Sequence, residues 1–178
     1  VRGLLNLKTT ADCMPKLLDK KNVDMLTAHK VFTKAELESR YEIMLENYCK
    51  TVKIEALTMV DMAKKQILPA VEAYTASLAE AYASKKAAVP DAEFAFEKKS
   101  IKKLTSLTDG IDMATEVLET AIAKFETIDD ITKAAFDIKD DVIPKMESLR
   151  AVCDEAETLT AESFWPFPTY EKLLFGVR

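Results

Sequence analysis

TKAELESRYEIMLENYCKTVKIEALTMVDMAKKQILPAVEAYTASLAEAYAS, residues 33–84, opens on a capping box and then runs without a glycine. In Thr33-Lys-Ala-Glu36 the threonine hydroxyl can accept from the backbone N–H of Glu36, while the glutamate carboxylate reaches back to that of Thr33, so a helix starts here. Apolar residues then recur at Leu37, Tyr41, Leu45, Tyr48, Val52, Ala56, Met59, Ala63, Ile67, Ala70, Tyr74, Leu78 and Ala81. Steps of three and four are the helical period. One helix over 33–84 spans roughly 75 Å at ~1.5 Å per residue. Pro69 lacks the N–H of one turn and its ring meets the carbonyl of Lys65, so a kink is expected there.

Working outward, residues 85–90 read as a turn, and a second run from Asp91 carries Phe94, Ile101, Leu104, Ile111, Ala114, Leu118, Ala121 and Phe125, with Gly110 as a weak point. After 127–130 a third run carries Ile131, Ala135, Ile138, Val142, Leu149, Val152, Ala156 and Leu159, with a second kink expected at Pro144. Short connections make sequential helices antiparallel neighbours. Upstream, residues 1–8 read as a connector. Thr10 precedes a short helix with Met14, Leu17 and Leu18, in which Pro15 is tolerable as a first-turn residue. Asn22 precedes another with Val23, Met25, Leu26 and His29, the histidine reading as a cap or surface residue. The expectation is an all-α fold: an elongated up-down-up bundle of three long helices, two short N-terminal helices and an aromatic C-terminal tail. All of 1–178 forms a single helical domain, divided as 1–32, 33–84, 91–128, 130–162 and 163–178. The narrow seams suit coiled-coil-like packing near ~20°. Tyr41, Ile43, Met44, Leu45 and Tyr48 exceed one narrow stripe, so this part of the long helix needs another surface: the small helices, the tail or a partner.

Composition removes several function classes. The net charge is −5 with a pI near 5.1, and no Lys/Arg stripe interleaves with aromatics, which argues against nucleic acid. No apolar run reaches the ~18 to 20 residues of a membrane span and no signal core follows a basic start, so no membrane partner and a cytoplasmic location are expected. Cys13, Cys49 and Cys153 are odd in number and far apart, fitting isolated thiols and neither a disulfide framework nor a zinc knuckle. Glu38, Glu42 and Glu46 share a helix face, yet a carboxylate-bridged di-metal centre needs Glu-x-x-His pairs on facing helices and the chain has one histidine. They read as a solvated face. Asp129 and Asp130 suit a helix N-terminus, and Asp137, Asp140 and Asp141 face water. With three glycines in all, a glycine-rich phosphate cradle has no residues to build it, and no nucleophile motif is present. No catalytic, cofactor or metal residue is assigned.

The tail FWPFPTYEKLLFGV, residues 164–177, holds the only tryptophan. Its two prolines impose extended or turn geometry on their neighbours. Burying Phe164, Trp165 and Phe167 would contribute on the order of 1.5 to 3 kcal/mol each, too much apolar surface to leave without purpose. The tail either plugs the bundle end or docks on another domain or subunit, and these readings are compatible. The candidate interaction residues are Tyr41, Leu45, Tyr48, Phe164, Trp165, Phe167, Tyr170, Leu174 and Phe175.

ESRYEIMLENYCKTVKIEALTMVDMAKKQILPAVEAY (38–74) and the tail resemble the C-terminal helical region of bacterial type III glutamine synthetases, and RGLLNLKTTADCMPKLLDKKNVDMLTAHKVFT (2–33) resembles the segment that leaves the catalytic domain in that family. Residues 85–160 match mainly in helical character. The chain also begins at Val1 without a methionine, which reads as a fragment or a processed chain. The resemblance implies a parent that ligates ammonia to glutamate with ATP and Mg or Mn, in stacked rings, all ligands lying in an upstream β-rich domain. This chain would then be a non-catalytic accessory, supporting the oligomer through contacts with its own catalytic domain and neighbouring subunits. The alternative is a free-standing helical adaptor.

Overall fold

In the computed structural model, residue 3, residues 5–168 and residues 170–176 are described. They are all helix and connection, with no strand among them: α1 (Thr10–Leu17), α2 (Lys20–Ala28), α3 (Lys34–Met62), a π turn (Ala63–Ile67), α4 (Leu68–Ala88), α5 (Ala95–Phe125), α6 (Ile131–Asp137), a second π turn (Ile138–Val142), α7 (Ile143–Leu159) and α8 (Tyr170–Phe175). Three long runs preceded by two short helices agree with the all-α expectation. The chain divides into two compact units. The first takes the sequence up to Leu57 together with Thr120–Lys145, and the second takes Thr58–Glu119 and the sequence from Met146.

Start signals act locally. At α3 the capping box forms as read: the Thr33 N–H donates to Glu36 Oε2 at 2.7 Å and the Glu36 N–H to Thr33 Oγ1 at 3.3 Å. The backbone donor holds the Glu36 carboxyl below its ordinary pKa. Thr9, one residue before the expected start, caps α1 by accepting from the Asp12 N–H. Pro15 therefore lies in the second turn of α1 and not the first. The helix tolerates the missing bond because it is only eight residues long and is held by buried Ala11 and Met14. α2 begins at Lys20, ahead of Asn22, and His29 is its exposed C-cap.

The turn after the long run lies four residues later than 85–90, at 89–94, and α5 begins at Ala95 where a start at Asp91 was expected. Helix α4 continues to Ala88, and Val89 leaves it in extended geometry (φ −135°) because Pro90 follows. Phe94, at φ 49°, accepts the first α5 bond from Lys98, and its ring packs edge-on against Tyr82 at 5.9 Å. Lys85 Nζ donates to the buried Glu97 carboxylate at 2.6 Å, closing the same turn.

Neither Pro69 nor Pro144 stands after an ordinary α turn. Each is preceded, at the same distance, by a five-residue π turn in which an N–H reaches back five residues: Leu68 to Ala63 and Ile143 to Ile138. Buried positions explain both. Ala63, Ile67, Val71 and Thr75 are spaced by four, as are Ala134, Ile138 and Val142. Each four-residue step overshoots a 3.6-residue turn by about 40°, and one wider turn takes up the surplus. It also displaces the carbonyl that a proline ring would strike. The expected kinks are thus resolved as π turns.

In the second unit α4, α5 and α7 alternate in direction. Lys64 meets Glu119 at 2.6 Å and Lys85 meets Glu97 at 2.6 Å, so α5 descends as α4 rises. Lys103 pairs with Glu155 at 2.6 Å, while a Cβ at Gly110 would stand 3.3 Å from Val152 Cγ1, so Gly110 is a close approach to α7 and α5 runs through it unbroken. Leu104, Leu107, Ile111, Leu118, Leu149 and Ala156 form this core. Buried Thr75, Thr115 and Thr160 each donate to the carbonyl four residues back, at 2.7 to 2.8 Å, so their hydroxyls need no partner from another helix. In the first unit Leu37, Leu45, Val52 and Ala56 of α3 are buried, together with Ala11 of α1, Ala121 and Ile122 of α5, and Ala134, Ala135 and Ile138. No helix among the described residues is long and apolar enough to cross a membrane.

Candidate functional site

Tyr41, Leu45 and Tyr48 share one face of α3, and the first unit covers that face from within. Leu45 is 1% exposed. The Tyr41 hydroxyl lies 2.7 Å from Thr132 Oγ1 in the first turn of α6. Tyr48 is half-buried, and burial pushes its phenol pKa up, with the neighbouring Cys49 and Asp12 adding to the rise. Asp12 on α1 accepts from Lys139 Nζ at 2.6 Å. That bond holds the Asp12 carboxyl below its ordinary value and raises Lys139. A second cation, Lys124, bridges Asp137 at 2.6 Å and Asp141 at 3.1 Å. Of the alternatives left open for this bulky surface, the segment from Ile131 meets Tyr41, and Asp12 of α1 and Lys139 stand near Tyr48. Ile43 and Met44 stay half exposed.

The tail belongs to the second unit and divides in two. Phe164 stacks at a tilt on Tyr74, ring centres 5.4 Å apart, and Trp165 meets Phe167 edge-on at 6.2 Å. Trp165 and Phe167 wall a pocket of about 200 Å³ whose other sides are Met59, Met62, Ile67, Leu149 and Cys153. Burial pushes the Cys153 thiol up to about 11, so it is a neutral, inert wall at ordinary pH. Beyond the prolines the chain re-enters a helix, which the expectation of an aromatic tail did not include. On α8, tied back by Lys172 to Glu162 at 2.7 Å, Leu173, Leu174 and Phe175 are 64–76% exposed. The side chain of Tyr170 lies outside the described residues. The structure therefore brings Phe164, Trp165 and Phe167 onto their own unit and displays Leu174 and Phe175. Leu173, Ile54 and Leu57 are exposed large apolar residues that the sequence reading did not single out.

Among the described residues no group of three or more His, Cys, Asp or Glu side chains is placed to hold a metal ion. The chemistry on display is apolar surface and short ion pairs on helices. Fold and surface together define an all-helical domain with large apolar side chains on its surface.

Comparison with known proteins specifies the kind. The family model of the glutamine synthetase C-terminal domain matches residues 1–86. A glutamine synthetase from Butyrivibrio fibrisolvens is 36% identical across 99% of this chain and 25% of its own length. The type-3 glutamine synthetase of Dictyostelium discoideum is 28% identical, and the glutamine synthetase of Bacteroides fragilis (strain YCH46) 27%, each across 98% of this chain and 24% of its own length. The chain belongs to the family of glutamine synthetase C-terminal domains, of the type III class. It spans about a quarter of the length of the curated relatives it matches. The alignments run through residues 85–160 as well, where the resemblance rests mainly on helical character.

Proposed function

We propose that this chain is the accessory helical domain of a larger type III glutamine synthetase, contributing no catalytic group and holding its surroundings together by helix docking. The parent reaction is the ATP-dependent ligation of ammonia to glutamate. ATP and Mg or Mn are bound by the catalytic body outside residues 1–178, in the cytoplasm. The partners are that catalytic body and neighbouring subunits of a ring oligomer, with no nucleic acid and no membrane. The observation that carries the docking role is the divided tail. Three aromatic rings anchor the segment to its own unit, while Leu173, Leu174 and Phe175 remain more than half exposed on a short helix that carries the Lys172–Glu162 pair. Contiguous apolar surface of this kind marks an interaction site.

The test begins with the native polypeptide. A denaturing immunoblot is expected to show a band several times larger than 19.9 kDa, and material captured from that band is expected to form glutamine from glutamate, ammonia and ATP. A band at 19.9 kDa without activity would discard this reading in favour of a free-standing adaptor. In the longer protein, Leu174→Asp with Phe175→Asp is expected to lower the assembly's size or its dissociation midpoint in urea while leaving helical content unchanged. An unaltered assembly would remove α8 from the interface.

A further inference from the structure

We infer that α3 carries a second helix-docking seam, on the side turned away from the core of the first unit, and that it receives a helix of the same longer polypeptide from outside residues 1–178. The inference rests on the accessory-domain reading above and adds to it a particular surface and a partner chemistry.

Ile43, Ile54 and Leu57 are between 46% and 64% exposed. Single exposed aliphatics are ordinary, but these are ordered. Residues 43, 47, 50, 54 and 57 follow one another in steps of four, three, four and three, the spacing of a coiled-coil seam, and they read Ile, Asn, Lys, Ile, Leu. At 100° per residue the five fall within roughly 80° of one another, on the side opposite Leu45, Val52 and Ala56. The helix thus carries aliphatic side chains on two opposed faces, one covered by its own unit and one exposed to solvent. Asn47 and Lys50, both exposed, interrupt the second seam. A single Asn or Lys in such a row lowers affinity and selects register, so the matching helix carries aliphatic residues flanking an amide or carboxylate that meets Asn47 and Lys50. The present Lys50–Glu46 pair, at 2.8 Å on the surface, is weak enough to be exchanged.

Two observations decide the occupant. A second copy of this helix, laid parallel or laid antiparallel with Ile43 against Leu57, sets Lys50 against Lys50 in either case, which repels. The exposed parts of the three aliphatic side chains also fall well short of the roughly 800 Å² that one partner contributes to a stable interface between separate molecules. A tethered helix needs less area, because linkage supplies an effective concentration of order mM. The Butyrivibrio relative is about four times as long as this chain, since the alignment covers 25% of it.

The experiment uses the longer native protein with Cys13→Ser, which removes the exposed thiol and leaves Cys49 and Cys153 buried. Ile54→Cys, and independently Leu57→Cys, are compared in maleimide labelling with Glu42→Cys, an exposed position on the same helix about 100° away from Ile43. Both seam variants are expected to label at least tenfold more slowly than Glu42→Cys, at every protein concentration down to separated subunits. Adding Lys50→Glu is expected to bring the Ile54→Cys rate within about twofold of the reference. Equal rates at the three positions would overturn the seam. Protection that disappears on dilution would overturn the occupant, since the cover would then be another copy. A native polypeptide of 19.9 kDa would instead sink the functional reading on which the inference rests.

Discussion

Lys30 sits at φ 56°, in the left-handed region, just beyond α2. Around it the Val31 N–H returns to Leu26 O at 3.0 Å and the Lys30 N–H to Thr27 O at 3.0 Å, the two bonds of a Schellman cap. Glycine normally holds this position, because a Cβ costs about 1 kcal/mol there. Lys30→Gly is therefore expected to raise the unfolding free energy by about 1 kcal/mol, read from the urea midpoint. A fall would mean that Lys30 contributes more through its side chain than its backbone costs. Trp165 is half-buried against Phe167 and the pocket walls. Trp165→Ala is expected to cost about 2 kcal/mol, less than the ~3–5 of a fully buried ring, with a blue-shifted native emission in the parent protein. An unchanged urea midpoint would place the ring's role outside its own unit.

At the scale of elements, the π turns carry the main lesson. Proline identity and apolar spacing both point to residues 63–67 and 138–142, and they make different predictions. If proline alone opened the turn, Pro69→Ala would relieve an interior proline worth about 3 kcal/mol. The four-residue spacing of Ala63, Ile67, Val71 and Thr75 keeps all four buried only with the wider turn. Pro69→Ala is thus expected to change stability by less than about 1 kcal/mol, with the protection of the Leu68 amide in hydrogen exchange retained. A gain near 3 kcal/mol would show that the proline, and not the packing, imposes the turn. The rest of the element pattern was legible because capping boxes and helical periods are local: Thr33, Glu36 and the three long runs needed no tertiary information. Lys85 to Ala88 were misjudged because nothing polar or glycine-like distinguishes a helix end from a solvated helix turn; Pro90 was the operative stop signal.

For the whole molecule, the charges set a pH window. The carboxyls of Asp12 and Asp141 lie below an ordinary value of 3.8, held by hydrogen bonds from Lys139 and from Lys145 and Lys124, respectively. Those of Glu36 and Glu97 lie below 4.5, held by Thr33 and by Lys85. A lowered pKa stabilises the fold above the ordinary value, and the contribution is lost as the pH falls through the lowered one. Lys124 and Lys139 are raised above 10.5 by their aspartates, so their contribution is present below 10.5 and lost as the pH rises through the raised values. Cys153, raised from 9.0 to about 11, opposes unfolding fully below 9.0 and loses that effect across the same interval. Stability is expected to be nearly flat between about pH 5 and 9 and to fall on both sides. Glu97→Gln is expected to shallow the acid limb in urea titrations at pH 3 to 5, and an unchanged slope would show that the Lys85 pair does not persist in solution.

The sequence by itself determined the helices and the class of protein, because cap chemistry, apolar period and long family-like segments are properties of neighbouring residues along the chain. How completely each helix face is covered was settled by the tertiary structure. Leu45 and Ile43 are two positions apart and equally apolar, yet one is buried and the other half exposed, because only one of the two helix faces is turned into its own unit. The same holds for the tail: Trp165 and Phe175 read alike in sequence, and the geometry after Pro168, with an ion pair from Lys172 to Glu162, folds one against its own unit and leaves the other displayed.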